Sequence, residues 1–450
     1  MPAPFRHYED VPLVDLPADP PAPAPHVLDV LRGRVGASGI QEPLEFLSSL
    51  LFHSASISAA KETPSGYRYA LRVNPSSGNL HPTEFHLACP NGLYHYRVSS
   101  HMLERRAAGN YGQLRFLLTT IAWREAWKYQ SRGYRYCLHD IGHAWQSLAL
   151  AARALGCEAQ AVGNFEDDRI ATLYGLPADE WPMLQIKIHG APDFPAAEEE
   201  KWFGGVPNCL SSETIAYPLI EEVHAATKAA PHLLQESPSV FPPATVRTPA
   251  SEKLPFGDVV RRRRSALDFR GGADTIGLEQ LMTLLDLAGR PLDCDFAAER
   301  YVQLYLYVHR VRGLAAGVYR YWPNETRLEP LKTGDQRVVA AALSLRQNLA
   351  GNACVAISMI GDLGRATENF GERGYRYVHF EAGAIGQRLY LAAEALGFQS
   401  TGIGAFFDDS VHNYLALDPR SGKQVVYHFA CGYAVEDDRL VAQDRDVNSP

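Results

Sequence analysis

The chain has 450 residues, 46% of them hydrophobic, and a formal net charge of −8. That length exceeds one ordinary core and points to two or three domains, while the acidic balance offers no general attraction to nucleic acid or anionic lipid. No apolar run approaches the ~20 residues of a membrane span, the start "MPAPFRHYEDVPLVDLP" has no apolar signal region, and seven scattered cysteines without a CxxC disfavour a disulfide framework or zinc–thiolate site and fit a reducing cytoplasm.

In chain order, "DLPADPPAPAP" (15–25) reads as a tether. "NPSSGNLHP" (74–82) has turn chemistry throughout; it is a surface loop, or a loop whose N–H groups and hydroxyls contact a flat heterocycle. "WKY" (127–129) is a snorkelling lysine beside a packed aromatic, or a general base with a proton relay in Lys128 and Tyr129. Ile141, Trp145, Leu148, Ala152 and Leu155 predict a helix ended by Gly156. Within it, His139 and His143 stand one turn apart, but the Glu of HExxH and a third ligand are missing, so no metal site is expected. "QAVGNF" predicts a short strand and tight turn, with an Asp pair opening the next helix. The Pro- and Ser-rich segment from 229 reads as a linker.

Beyond the linker, "RRRRSALDF" (261–269) is a solvated helix start, or an anion clamp in which guanidiniums and Ser265 meet a phosphate monoester. "YVQLYLYV" (301–308) and "GVYRYW" (317–322) predict a strand hairpin, and "CVAISMI" (354–360) a buried strand. Gly386, Leu389, Ala393 and Leu396 repeat the helical pattern before Gly397. "GIGAFF" (402–407) is not GxGxxG and does not argue for a dinucleotide fold.

The second half repeats the first. Residues 132–176, beginning "RGYRY", lie over residues 373–417 at an offset of 241, and 19 of 45 positions are identical without a gap. "GLYHYRVSSHMLE" (92–104) likewise matches "GVYRYWPNETRLE" (317–329). A period this long means a duplicated domain and not a solenoid unit. The expected organisation is a tail (1–26), a first half (27–228), a linker (229–254) and a second half (255–450).

The arginine–serine start, the "PSSGN" loop and the helix followed by "GIGAFFDD" resemble the FMN-dependent nitroreductase superfamily. "GNLHPTEFHL", "GLYHYRVSSHMLE" and "WKYQSRGYRYCLHDIGHAWQSLALAARALG" are more narrowly similar to the SagB-type dehydrogenases, which oxidise azolines to azoles in ribosomal peptide biosynthesis. The resemblance implies an α+β fold: two tandem domains, each a mainly antiparallel sheet flanked by helices, forming an intramolecular pseudo-dimer. It implies FMN as cofactor, at a site where one half supplies the phosphate clamp and the turn beside the ring while the other supplies the covering loop. Here the clamp residues are Arg263, Arg264 and Ser265, with Gly402, Ile403, Gly404 and Ala405 in the turn. The loop residues are Pro75, Ser76, Ser77 and Asn79. Lys128 and Tyr129 match the pair such dehydrogenases use for proton removal, and Gln347 is a further FMN candidate.

Each half lacks what the other keeps. "RPLDCDFAA" (290–298) replaces the loop in the second half, and "HYEDVPLVDLP" (7–17) stands where the first half should carry a clamp. One composite site per chain is therefore expected. Leu267 stands where a basic residue is common, so either the phosphate is held less tightly or Arg439 helps to hold it; Arg261 should matter much less if it faces solvent. The implied function is oxidation of an azoline-like ring in a peptide or small natural product, by a cytoplasmic protein that can be monomeric or join a biosynthetic complex. The alternatives are an NAD(P)H-dependent nitro or quinone reductase and a degenerate flavin-binding scaffold.

Overall fold

The computed structural model describes residues 1–36, 39–228, 254–296 and 300–441. Residues 229–253 of the expected linker, 297–298 of the "RPLDCDFAA" segment and 442–450 lie outside the described residues.

Each half lays one antiparallel sheet against one long helix. The first sheet runs Lys201–Trp202, Met102–Ala108, Gly92–Arg97, Thr83–Cys89, Arg115–Thr120, Trp181–His189, Glu158–Val162, with Leu13–Asp15 added beside Met102–Ala108. The second runs Arg327–Thr333, Gly317–Trp322, Val302–Val308, Val355–Asp362, Lys423–Gly432, Gln399–Ile403. Strand for strand the second order repeats the inner order of the first, which gives the expected α+β tandem fold. Val355–Asp362 is buried along nearly its whole length, which is why it reads as a continuous apolar run and not as an alternation.

The long helices are Gly133–Ala154 and Gly374–Ala395, 22 residues each and almost wholly buried. Both stop at a left-handed glycine, Gly156 at φ +86° and Gly397 at φ +84°, with Cys157 N–H and Phe398 N–H reaching back to Ala152 O and Ala393 O. They pack on each other more extensively than any other pair of helices. At their crossing a Cβ on Gly142 would lie 2.2 Å from Phe380 O, and one on Gly383 would lie 2.2 Å from His139 O. Residues 142 and 383 are themselves one repeat apart, so the pseudo-twofold axis passes between two glycines whose missing side chains let the backbones touch.

The repeated "RGYRY" ties the halves together around that axis. Arg132 and Arg135 both pair with Asp408, at 2.9 and 2.6 Å. Their counterparts Arg373 and Arg376 both pair with Asp167, the counterpart of Asp408. Each Asp opens the helix after the glycine turn, Asp167–Tyr174 or Asp408–Leu415. The two clamps differ in burial. Asp167 and its arginines are at most 1% exposed, whereas Asp408 is 26% exposed and its arginines 31%.

Two expectations from sequence are corrected. Residues 15–25 are not a free tether: Ser48 donates to Pro17 O, and Phe256 N–H to Pro25 O. Nor is "HYEDVPLVDLP" the counterpart of the clamp. Tyr8–Glu9 pairs with Val206–Pro207 and Leu13–Asp15 with Met102–Ala108. The counterpart of helix Phe256–Arg262 is helix Val27–Leu31, as the reciprocal bonds Val27 N–H to Leu254 O and Phe256 N–H to Pro25 O show. Arg263, Arg264 and Ser265 then correspond to Arg34, Val35 and Gly36. The clamp has eroded in place, which hid it from a search for its residues.

The unequal burial of the two clamps sets their worth. Asp167→Asn leaves two buried guanidiniums without their anion and should cost about 3–5 kcal/mol. Asp408→Asn, at the half-open clamp, should cost about 1 kcal/mol or less. Urea unfolding of the two variants checks the contrast; equal losses would contradict it.

Candidate active site

One cavity of about 1030 Å³ opens between the halves, and every site residue named from sequence lies on its wall. Helix Phe256–Arg262 ends as Arg263 turns to extended backbone, so the arginine cluster closes a helix and does not start one. Arg263 is 4% exposed. Its Nη2 donates to Arg72 O at 3.3 Å, and its Nε and Nη1 have no hydrogen-bond partner among the described residues. Arg264 donates to Arg261 O, Arg263 O and Ser58 O. Burial, then the Arg263 and Arg261 charges, push it down to about 10. Ser265 Oγ lies 2.8 Å from the Tyr390 hydroxyl, which accepts the Gly402 N–H. Arg261 does not face solvent. It donates to Ser56 Oγ and Ile57 O and lies 3.9 Å over the Phe52 ring, so it fastens the clamp helix to the first half.

The turn Gly402–Ala405 forms an adjacent wall. A Cβ on Gly402 would lie 2.0 Å from the Tyr427 hydroxyl, and one on Gly404 would lie 2.5 Å from the Tyr136 ring. Gln347 donates to Ser344 O and Ala405 O. Arg439 reaches the wall, but with its guanidinium on Asp437 at 2.7 and 2.8 Å. Leu267 is 51% exposed on the same wall and adds no charge.

The opposite wall comes from the first half. Ser76 Oγ accepts the His81 N–H, and Asn79 Nδ2 donates to Ala70 O, which fixes the loop's path. Gly78 stands at φ +58°, the left-handed region that favours glycine. Lys128 and Tyr129, at the end of helix Ala122–Tyr129, come up against it: a Cβ on Gly78 would lie 2.5 Å from the Tyr129 hydroxyl and 3.1 Å from Lys128 Nζ. Burial and then the Glu125 charge hold the Tyr129 phenol well above its ordinary range.

Sequence reasoning missed Asp140, Tyr390 and Tyr427, all on the cavity wall. Asp140 sat unnoticed between the two histidines considered for zinc. Of those histidines, His139 stacks on Tyr427 at 4.3 Å with neither ring nitrogen hydrogen-bonded among the described residues, and His143 lies 3.2 Å from both Gln387 Oε1 and the Tyr427 hydroxyl. For Tyr390 the usable signal was asymmetry between the copies, since Ala149 stands in its place in the first half, as Ala384 stands in the place of His143 in the second.

The place related to this cavity by the pseudo-twofold axis is filled. There the turn Gly163–Asn164, counterpart of Gly404–Ala405, donates both N–H groups to the Asp295 carboxylate at 2.7 and 3.2 Å. Phe296 stacks on Tyr377, the counterpart of Tyr136, at 4.3 Å. Asn369, in the position of Lys128, donates to the Tyr301 hydroxyl.

The sequence profile of the Nitroreductase family matches residues 55–190 and again 260–433. The chain belongs to the nitroreductase family and carries its domain twice, which makes oxidoreduction its class of chemistry. A Methanocaldococcus jannaschii protein provisionally assigned as a nitroreductase is 29% identical over 182 residues, 38% of this chain and 89% of that one. The crystal structure of an Anabaena variabilis protein with the same provisional assignment superposes with a TM-score of 0.74 at 22% identity, covering 96% of this chain and 94% of its own. At that identity the likeness speaks for the fold alone.

Proposed function

We propose that the cavity holds one FMN per chain and that the protein is a SagB-type dehydrogenase or oxidase, acting on an azoline-like ring in a peptide or small natural product. The observation that carries this reading is the convergence, in one cavity, of Arg263 with two orphaned buried N–H donor atoms and of Lys128 and Tyr129 against Gly78. A buried guanidinium with unmet donors is costly unless an anion completes it, and a phosphate monoester is an anion of fitting charge and geometry. The residues present therefore fit the group. Arg263, Arg264 and Ser265 would hold its phosphate, and Gly402–Ala405 with Ser76–Asn79 would flank its ring. Arg439, already neutralised by Asp437, is not needed for the phosphate.

FMN supplies a two-electron acceptor for hydride; the protein supplies binding, orientation and proton handling. Lys128 Nζ and the Tyr129 hydroxyl stand together as the groups that take the substrate's C–H proton. Burial keeps Tyr129 a neutral phenol at physiological pH, so it acts as a hydrogen-bonding relay beside Lys128 Nζ. Gly78 keeps both groups at the loop surface, where a planar ring would lie. The second half offers Asn369 and Phe370 at these positions, so proton handling belongs to one site.

Two measurements test the reading. Arg263→Ala should weaken FMN binding about 10- to 150-fold, the worth of one charge-assisted contact, in a fluorescence titration against the flavin-free chain. Lys128→Ala and Tyr129→Phe should stay folded and yellow, while flavin bleaching by a thiazoline-containing peptide slows by about 10²–10⁴. Bleaching by dithionite, which needs no proton from the substrate, should be unchanged. Wild-type bleaching by the peptide in both variants would remove the pair from the mechanism.

A further inference from the structure

A carboxyl group stands directly behind the loop that meets Lys128 and Tyr129, apart from the groups assigned to the phosphate, the ring and the proton. Asp140, on helix Gly133–Ala154, is 2% exposed. Both its oxygens accept the Ser77 N–H, at 3.2 Å each, and Oδ1 also accepts the Ser77 hydroxyl at 3.3 Å. Ser77 is followed by Gly78, the residue against which the lysine and tyrosine rest. A continuous set of contacts thus runs from Asp140 through Ser77 and Gly78 to Lys128 Nζ and the Tyr129 hydroxyl.

The repeat shows that the position is an anchor and how this copy has changed its use. One repeat later stands Glu381, which accepts the N–H groups of Tyr301 and Val302 at 2.9 and 3.1 Å. There the carboxylate pins the start of a core strand. In the first half the shorter Asp140 pins a loop that forms the cavity wall. We infer that Asp140 is a positioning residue: in its ionised form it holds Ser77 and Gly78 so that Lys128 and Tyr129 present their polar atoms to the substrate, and on protonation it releases them. The inference rests on the reading of Lys128 and Tyr129 as the proton-handling pair.

The surroundings make this carboxyl responsive near neutrality. Glu125 and Tyr129 of helix Ala122–Tyr129, Cys137 of its own helix and Tyr427 of strand Lys423–Gly432 all feel its charge, and Lys128, Tyr136 and His143 line the same cavity. Burial raises Asp140 to about 7, against the pull of the Ser76 and Ser77 hydrogen bonds. Glu125 is raised well above the ordinary carboxylate range by burial and then by the Asp140 charge, so it stays neutral and does not compete for Ser77. His143 is lowered to about 3 by burial and is neutral as well. The sign follows. Below about pH 7 the protonated carboxyl loses its charge-assisted grip on the Ser77 N–H and hydroxyl; above it the grip is complete. Turnover should rise with pH through that midpoint.

The test uses the full chain loaded with FMN and labelled with [¹⁵N]serine, with the Ser77 amide signal assigned by its loss in Ser77→Ala. That amide should shift with a midpoint near neutrality in the wild type and not shift in Asp140→Asn. With a thiazoline peptide as probe, wild-type kcat/KM should rise with the same midpoint, while Asp140→Asn should be flat there and lower by about 10²-fold, the size expected of a small misplacement of reacting groups. A Ser77 amide that does not respond across neutral pH, or an Asp140→Asn variant that keeps the wild-type pH profile, overturns the inference. If Asp140→Asn fails to fold, the wild-type Ser77 titration decides alone. If no thiazoline peptide is oxidised at any pH, the proposed function fails, and the Ser77 amide still upholds or overturns the role of Asp140.

Discussion

The backbone contact between Gly142 and Gly383 sets the geometry on which everything else depends. Any side chain there would drive a Cβ into a carbonyl of the opposing helix, so the two long helices would have to separate. Their closeness brings the "RGYRY" arginines of each half within reach of the aspartate at the far glycine turn. It also brings a clamp from one half and a loop from the other to opposite walls of one cavity. A helix interior normally loses about 1 kcal/mol for glycine relative to alanine; here close packing along two 22-residue buried helices offsets that cost.

Two copies within one chain are free to diverge, and the structure shows the direction. On the open side Arg263 keeps unmet donors, and the Arg132–Asp408–Arg135 clamp stays partly solvated beside the cavity. On the closed side the same turn has its N–H groups taken by Asp295, and Phe296 lies flat on Tyr377. His224 and Thr227 approach the buried arginines there as well. The turn beside the cavity on the open side has its image on the closed side bound to a carboxylate of the protein itself. That is the pattern expected where one location awaits a ligand and its image has become core.

Much of this was legible in the sequence because duplication supplies an internal comparison. Position 241 residues on, the strand, the glycine turn and the Asp-led helix recur, and both copies fold alike. The lysine–tyrosine pair stood out because Asn369 and Phe370 replace it. The degraded clamp escaped because only its helix and one arginine, Arg34, survive: Val35 and Gly36 replace Arg264 and Ser265, and the acidic stretch mistaken for it is strand-forming sequence that pairs with the first sheet. Arg439 looked like a free cation because Asp437, two residues away, gives no sign in sequence of folding back on it. Asp140 escaped for the opposite reason. An acid stands at both copies, so asymmetry did not mark it, and its importance lies in which backbone it holds.

The central claim is that one composite flavin site survives per chain while its image is filled by protein. Release of the bound cofactor by denaturation, followed by absorbance of the free flavin against protein concentration, tests it most directly. The account predicts one FMN for each 450-residue chain. Two tightly bound FMN per chain would contradict it, because the second could enter only where Asp295 and Phe296 now lie.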